Sequence, residues 1–188
     1  ELIISKSTNT VASWAVQVPN VLTSSSYILR LDTNAAESDK SGNGTLSAPS
    51  SSVFYTNWTD GLNVDGRDYI AYCFSSIEGY SKVGSFTGNG VVDGPFIYTG
   101  FKPEMIIFKK YSASGNQWYI FDGARDPYNA AGTELYPSTS GAEWYGPQLD
   151  FVSNGVKVRN NYTSWNGSST SMLYIAFAES PFKYSNAR

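Results

Sequence analysis

The chain has 188 residues, with 13 Lys+Arg against 16 Asp+Glu, a formal net charge of −3 and a pI near 4.9. That balance gives no basic footprint for nucleic acid, and no apolar run approaches the roughly 20 residues that span a bilayer as a helix. Histidine is absent. Ser-His-Asp and Cys-His catalysis, His-ligated zinc and the usual general base near neutral pH are thereby excluded, and carboxylate chemistry, chiefly glycoside hydrolysis, is the enzymatic option that remains.

Charged residues make up 15 % of the chain, below the roughly 25 % of an average globular domain. The 41 % of hydrophobic residues, with 5 Trp, 14 Tyr and 10 Phe, are ample for a packed core. A chain of this length buries roughly 70 % of its unfolded surface. Abundant Ser, Thr, Asn and Gly suit short strands joined by many turns. The sequence opens at Glu1 directly into a strand pattern, so the reading expects a fragment of a longer polypeptide.

Strand signals run in chain order at 2–6, 13–18, 26–31, 52–56 and 68–74, then at 96–99, 105–109, 118–121, 133–136, 149–152, 155–159 and 172–177. Residues 32–51 read as a long surface loop with room for a short helix over 34–38. Asn154-Gly155 between two runs is a hairpin signal, and Asp65-Gly66 and Asn166-Gly167 mark turns. Cys73, the single cysteine, sits in the apolar run Tyr69–Phe74 and reads as a small buried core residue.

The text repeats itself. Glu1-Leu2-Ile3-Ile4-Ser5-Lys6 reappears as Glu104-Met105-Ile106-Ile107-Phe108-Lys109, and Tyr69-Ile70-Ala71-Tyr72-Cys73 as Tyr174-Ile175-Ala176-Phe177-Ala178. Trp14 and Trp118 follow the first motif, Trp58 and Trp165 precede the second, and Tyr80-Ser81 and Tyr184-Ser185 come after it. The expectation is an all-β fold, a β-sandwich of two similar repeats forming pseudo-symmetric antiparallel sheets. Residues 1–82 would be a first, N-terminally truncated repeat and 83–188 a second, packed as one compact unit. The second copy has a leader, Gly84–Gly90 through Gly100–Pro103, whose counterpart would lie upstream of Glu1.

Aromatic residues outside strand runs are the binding candidates: Tyr128, Trp144, Tyr145, Tyr162 and Trp165, in stretches rich in Gly, Asn and Ser. Flat rings supply contact area with few torsions to freeze, and sugars present apolar ring faces edged with hydroxyls. The competing reading makes them sandwich caps or subunit contacts, the more so for Trp58 and Trp165 because they recur. Asp60–Asp68 superficially resembles a calcium loop, yet its spacing fits no EF-hand pattern, so a turn is expected and no metal or cofactor. Asp122 and Arg125 read as a loop-pinning ion pair. A glycosidase would need two carboxylates roughly 5–10 Å apart, and among Glu78, Glu104, Asp122, Asp126, Glu143 and Asp150 nothing singles out a pair. Four Asn-X-Ser/Thr matches, beginning at Asn43, Asn57, Asn161 and Asn166, are discounted in so Asn/Ser/Thr-rich a chain.

The order Tyr98-Thr99-Gly100-Phe101-Lys102-Pro103-Glu104, Trp118-Tyr119-Ile120-Phe121-Asp122 with Arg125, Asp150 through Arg159, and Tyr174-Ile175-Ala176-Phe177-Ala178-Glu179 resembles a repeat family. That family recurs toward the C-terminal ends of tail, fibre and related structural proteins of bacteriophages, marine ones especially. The first copy departs from it, reading Val18-Pro19-Asn20 where the second has Asp122 and Arg125. The resemblance implies a non-enzymatic virion module with no catalytic residues: the outer part of a tail fibre, spike or decoration, located on the extracellular virion. Its implied partners are other virion proteins, a host-surface glycan or protein, and further copies of itself, a homotrimer being the form usual in phage fibres. A carbohydrate-binding module is the alternative, and a carboxylate-dependent glycan hydrolase the third reading.

Overall fold

The computed structural model describes residues 1–43, 49–56 and 61–180. Among these it is all-β, with antiparallel strands in three sheets and one 3-10 turn at Ser41–Asn43. Sheet I contains β1 (Leu2–Ser7), β2 (Ala15–Gln17), β3 (Tyr27–Arg30), β4 (Ser38–Asp39) and β5 (Tyr69–Phe74) in the order β4-β3-β2-β1-β5. Sheet II contains β6 (Ser81–Thr87), β8 (Pro103–Lys110), β9 (Trp118–Asp122) and β13 (Ser171–Ala178) in the order β6-β13-β8-β9. Sheet III contains β7 (Phe96–Tyr98), β10 (Ala131–Glu134), β11 (Trp144–Val152) and β12 (Gly155–Val158) in the order β10-β11-β12-β7.

Sheet II is the middle layer. Side chains alternate across a strand, so in β13 Met172, Tyr174 and Ala176 face one way and Leu173 and Ile175 the other. The first set joins Ile106, Phe108 and Phe121 against Leu149, Phe151 and Val156 of sheet III. The second set joins Trp118 against Leu2, Val16 and Leu29 of sheet I. Trp118 also donates its indole N–H to the Arg30 carbonyl at 2.9 Å, tying sheet II to sheet I. The bridge Ile120↔Leu135 joins the β9 edge to the strand end beyond β10, so sheets II and III meet along that corner.

The pairing repeats at an offset of 103 residues, as Glu1 and Glu104 do, so it is two residues out of step with the Tyr-Ile-Ala text, which recurs at 105. Adding 103 to both partners carries the six pairs from Leu2↔Phe74 to Ser7↔Tyr69 onto Met105↔Phe177 to Lys110↔Met172. On the other side Ile3↔Gln17 through Ser5↔Ala15 matches Ile106↔Phe121 through Phe108↔Tyr119, with one extra residue before β9. Beyond the units β2-β1-β5 and β9-β8-β13 the likeness stops. β13 has β6 on its far side and layers on both faces, whereas β5 is an edge strand. Sheet III has no counterpart sheet among the described residues of 1–82. The chain forms a stack in which the β9-β8-β13 unit is part of the buried middle and the β2-β1-β5 unit part of an outer layer.

Edge position corrects the reading of Cys73. It is exposed, although Ala176, its counterpart in β13, is fully buried. The expected helix over 34–38 is absent: Ser38–Asp39 pair as β4 with Tyr27 and Ile28, and the Glu37 carboxylate accepts from the Thr23 N–H at 2.9 Å. Residues 52–56 form no strand; the Ser50 N–H donates to the Val53 carbonyl in a turn. β6 carried no strand signal, because Ser-Lys-Val-Gly-Ser-Phe-Thr lacks a sustained apolar alternation.

The hairpin at Asn154-Gly155 exists, but the pair Val152↔Gly155 centres its turn on Ser153-Asn154. Gly155 serves a different purpose: a Cβ there would lie 2.2 Å from the Ile97 carbonyl oxygen of the neighbouring β7. Gly155→Ala is expected to push β7 off β12 and cost about 1–3 kcal/mol, an overpacking penalty readable by urea denaturation. Lys109 supplies a second test. It is fully buried, its ammonium donates to the Asn116 carbonyl at 2.8 Å, and burial together with nearby Lys110 lowers its pKa from 10.5 to about 8. Between those values the unfolded chain holds the proton and the folded one releases it, so stability rises with pH across that window. Denaturation from pH 7 to 9.5 should show wild type gaining on Lys109→Met above pH 8; parallel curves would contradict the assignment.

Candidate functional site

At the corner where sheets II and III meet, a groove of about 400 Å³ opens between the start of β11 and the 159–170 segment. Glu134 of β10 pairs in register with Trp144 of β11, so both side chains fall on the same face, toward the groove. Tyr119 of β9 and Tyr136 after β10 form its floor, with ring centroids 5.8 Å apart and planes at 75°. Trp144 and Tyr162 form the rim as an edge-to-face pair, centroids 6.1 Å apart, each a little under half exposed (43 % and 45 %). Gly146 makes this placement possible, because the Trp144 ring lies 2.3 Å from where a Cβ at 146 would be.

The 159–170 segment is held by a buried amide. The Asn166 side chain donates to the carbonyls of Val91, at 3.0 Å, and Asn160, and accepts from the Asn89 N–H at 3.0 Å. Asn160 in turn donates to Gln148 and accepts from the Tyr162 N–H at 3.0 Å. This chain of bonds runs from the core to the rim and sets the position of Tyr162. Trp165, next to Asn166, is fully buried and stacks on Phe108 at 5.5 Å, so it backs the groove as part of the core and offers no open face.

Glu134 is the single carboxylate among the lining residues. It is buried, accepts the Tyr136 hydroxyl proton at 2.8 Å, and burial raises its pKa above the usual 4.5. Burial also raises the Tyr119 and Tyr136 phenols, with the neighbouring Glu134 adding to the effect in each case. Gln117, also in the lining, accepts from the Ser138 hydroxyl at 2.6 Å through its side-chain oxygen. The arrangement offers flat apolar faces at the rim and hydrogen-bonding groups below.

Of the residues singled out in the sequence, Trp144, Tyr162 and Trp165 come together here. Tyr145 lies on the other face of β11, 68 % exposed, and Tyr128 lies in the loop after β9, 85 % exposed. Trp58 falls outside the described residues. Sequence reasoning missed Glu134, Tyr119 and Tyr136 because they sit in strand runs, where an inward side chain and a groove-facing one read alike.

Other carboxylates are engaged structurally. Asp122 binds the Arg125 guanidinium, with Nε at 2.6 Å; burial opposes ionisation, yet the bonds and charge of Arg125 keep its pKa below the usual value. Asp126 accepts from the N–H groups of Gly132 and Thr133 and from the Thr133 hydroxyl. Asp150 pairs with Arg159 at 2.5 Å. A cavity of about 260 Å³ gathers Glu104, Asp126 and Glu179, but Asp126 is spent as described and Glu179 pairs with Lys102 at 2.8 Å. Among the described residues no group of three His, Cys, Asp or Glu is placed to hold a metal ion. The described part of the Asp60–Asp68 segment turns at Asp65-Gly66, where Gly66 has φ +73°.

Fold and groove together define an all-β sandwich domain with an aromatic-rimmed recess at a sheet corner. The chain belongs to the family described as "Domain of unknown function (DUF7483)", whose model matches residues 1–181. No curated protein and no solved structure matches it.

Burial of Glu134 has a testable consequence for stability. Its folded pKa lies above 4.5, so the folded state holds the proton longer than the unfolded chain, and stability falls as pH rises through that interval. Glu134→Gln removes the ionisation. Melting temperatures at pH 4 and pH 7 should show the variant gaining on wild type at the higher pH; an unchanged difference would mean that the carboxyl is solvated.

Proposed function

We propose that this domain is a non-enzymatic binding module of a bacteriophage virion, the outer part of a tail fibre, spike or decoration, and that the Trp144–Tyr162 groove takes up host-surface glycan. One observation carries the glycan reading: two half-exposed aromatic rings stand over a recess whose floor holds a carboxylate, phenol hydroxyls and an amide. A pyranose has the complementary construction. Its C–H faces stack on rings, and its hydroxyls bond to Glu134 and Gln117. Extracellular virion placement, and contacts with other virion proteins or further copies of the chain, rest on the resemblance of the strand-and-turn text to phage fibre repeats.

Hydrolysis is the weaker reading. Both glycosidase geometries need a second carboxylate roughly 5–10 Å from the first, and Glu134 stands alone among the lining residues. A carbohydrate-binding module of a secreted bacterial protein would use the same groove, and labelling virions with an antibody to this domain separates that setting from the phage one.

A glycan array with the isolated domain tests the site. Trp144→Ala is expected to weaken the best-bound glycan at least tenfold, about 1.4 kcal/mol, with the melting temperature unchanged because the ring is half exposed. Tyr128→Ala and Tyr145→Ala should leave binding intact, and incubation with the bound polysaccharide should release no reducing ends. Equal binding by Trp144→Ala would overturn the groove as the site, and new reducing ends would overturn the non-enzymatic assignment.

A further inference from the structure

The two copies of the strand motif differ in what lies on their far side, and that difference points to a second binding surface. β13 is paired along its outer edge by β6 over seven residues, Ser171↔Thr87 to Phe177↔Ser81. β5 has the same register against its inner neighbour, its Tyr-Ile-Ala text displaced by two residues from that of β13, yet its outer edge has no strand among the described residues. Its side chains show the consequence: Ile70, Ala71, Tyr72 and Cys73 are all exposed, Tyr72 by 47 %.

Exposed edges are normally blunted by shortness, charge, proline or a bulge, because their free N–H and C=O groups recruit further strands. β4, at the opposite edge of sheet I, has two residues, and β7 has three. The β9 edge is bridged to Leu135, and β6 carries Lys82. β5 has six residues and none of these devices: Tyr69-Ile70-Ala71-Tyr72-Cys73-Phe74 contains no charge and no proline, and its register with β1 is unbroken. Beside it Trp14 stands 6.3 Å from the Tyr72 ring, with the Lys6 ammonium over the Trp14 face at 5.0 Å, so an apolar shelf flanks the edge.

We infer that β5 is a docking edge for an extended segment of a partner polypeptide, one with the chemistry of β6, which adds as an antiparallel strand. The β6–β13 ladder supplies the template. Carried back by 103 residues, it sets a Val83-like residue against Tyr72, a Gly84-like residue against Ala71 and a Phe86-like residue against Tyr69. Main-chain bonds give the affinity, and alternate side chains give the selectivity. This inference is independent of the glycan groove, which lies on sheets II and III.

The probe is a fluorescent peptide with the sequence of residues 80–88, titrated into the full chain. Saturable one-to-one binding is expected, with new hydrogen-exchange protection at Tyr69–Phe74. Methylating the peptide amides at alternate positions should weaken binding at least tenfold for one alternate set and little for the other, as a ladder requires. Tyr72→Lys, at an exposed position that tolerates the change in fold, should weaken it similarly, while glycan binding stays as in wild type. Absence of binding at millimolar peptide, or binding that protects β6–β13 instead of β5, would overturn the inference. A dimer in sedimentation that Tyr72→Lys dissociates would overturn it too, since the occupant would then be a second copy of β5.

Discussion

β13 is hydrogen-bonded on both sides and covered on both faces, and the other layers take their places from it. Five consecutive side chains, Met172 to Ala176, are buried. A strand of this kind has no solvent face, so its alternation sends Met172, Tyr174 and Ala176 into one core and Leu173 and Ile175 into the other. Each large apolar side chain buried this way contributes roughly 1.5–3 kcal/mol, and the two cores share a single backbone. Sheets I and III are therefore linked through sheet II without touching each other's cores.

The same arrangement explains where a recess can form. Sheets II and III pack face to face through Phe108, Phe121, Leu149 and Val156, but at the β9–β10 corner they are joined edge to edge through Ile120 and Leu135. Side chains beyond that junction, Tyr119, Glu134 and Tyr136, have core on one side only. The 159–170 segment closes the far wall, held there by the Asn166 amide and by the buried Trp165 ring. The Tyr162 ring stays half exposed at the rim, and Trp165, three residues on in the same turn, fills the space behind it. Stability and binding surface thus divide between neighbouring residues of one loop.

Sheet I stands in a different relation to the middle layer. Its β1-β5 ladder copies β8-β13, yet β5 projects past the cover that β13 receives, and the chain leaves it through the Ile77–Ser81 reversal to begin β6. The Phe74–Phe177 edge contact, 5.9 Å between centroids, joins the end of β5 to the core between sheets I and II. From there toward Tyr69 the strand faces water.

Much of this was legible in the amino-acid sequence alone. The strands around Ile3, Ile106 and Ile175, the turn near Asn154, the Asp122–Arg125 pair and the aromatic character of the groove rim are all local, written in alternation, β-branching and turn residues within a few positions. What only the tertiary structure decided is which copy is covered. Cys73 and Ala176 stand at equivalent positions in their ladders, as do Tyr72 and Ile175, and their exposure differs because β13 is packed between sheet III on the Ala176 side and sheet I on the Ile175 side, with β6 along its edge, whereas β5 is an edge strand of an outer layer. Glu134 entered the groove for the same reason, since a strand's alternation says that a side chain points away from its neighbours but not whether another layer waits there. Burial belongs to the packing of distant segments, and a sequence window carries no term for it.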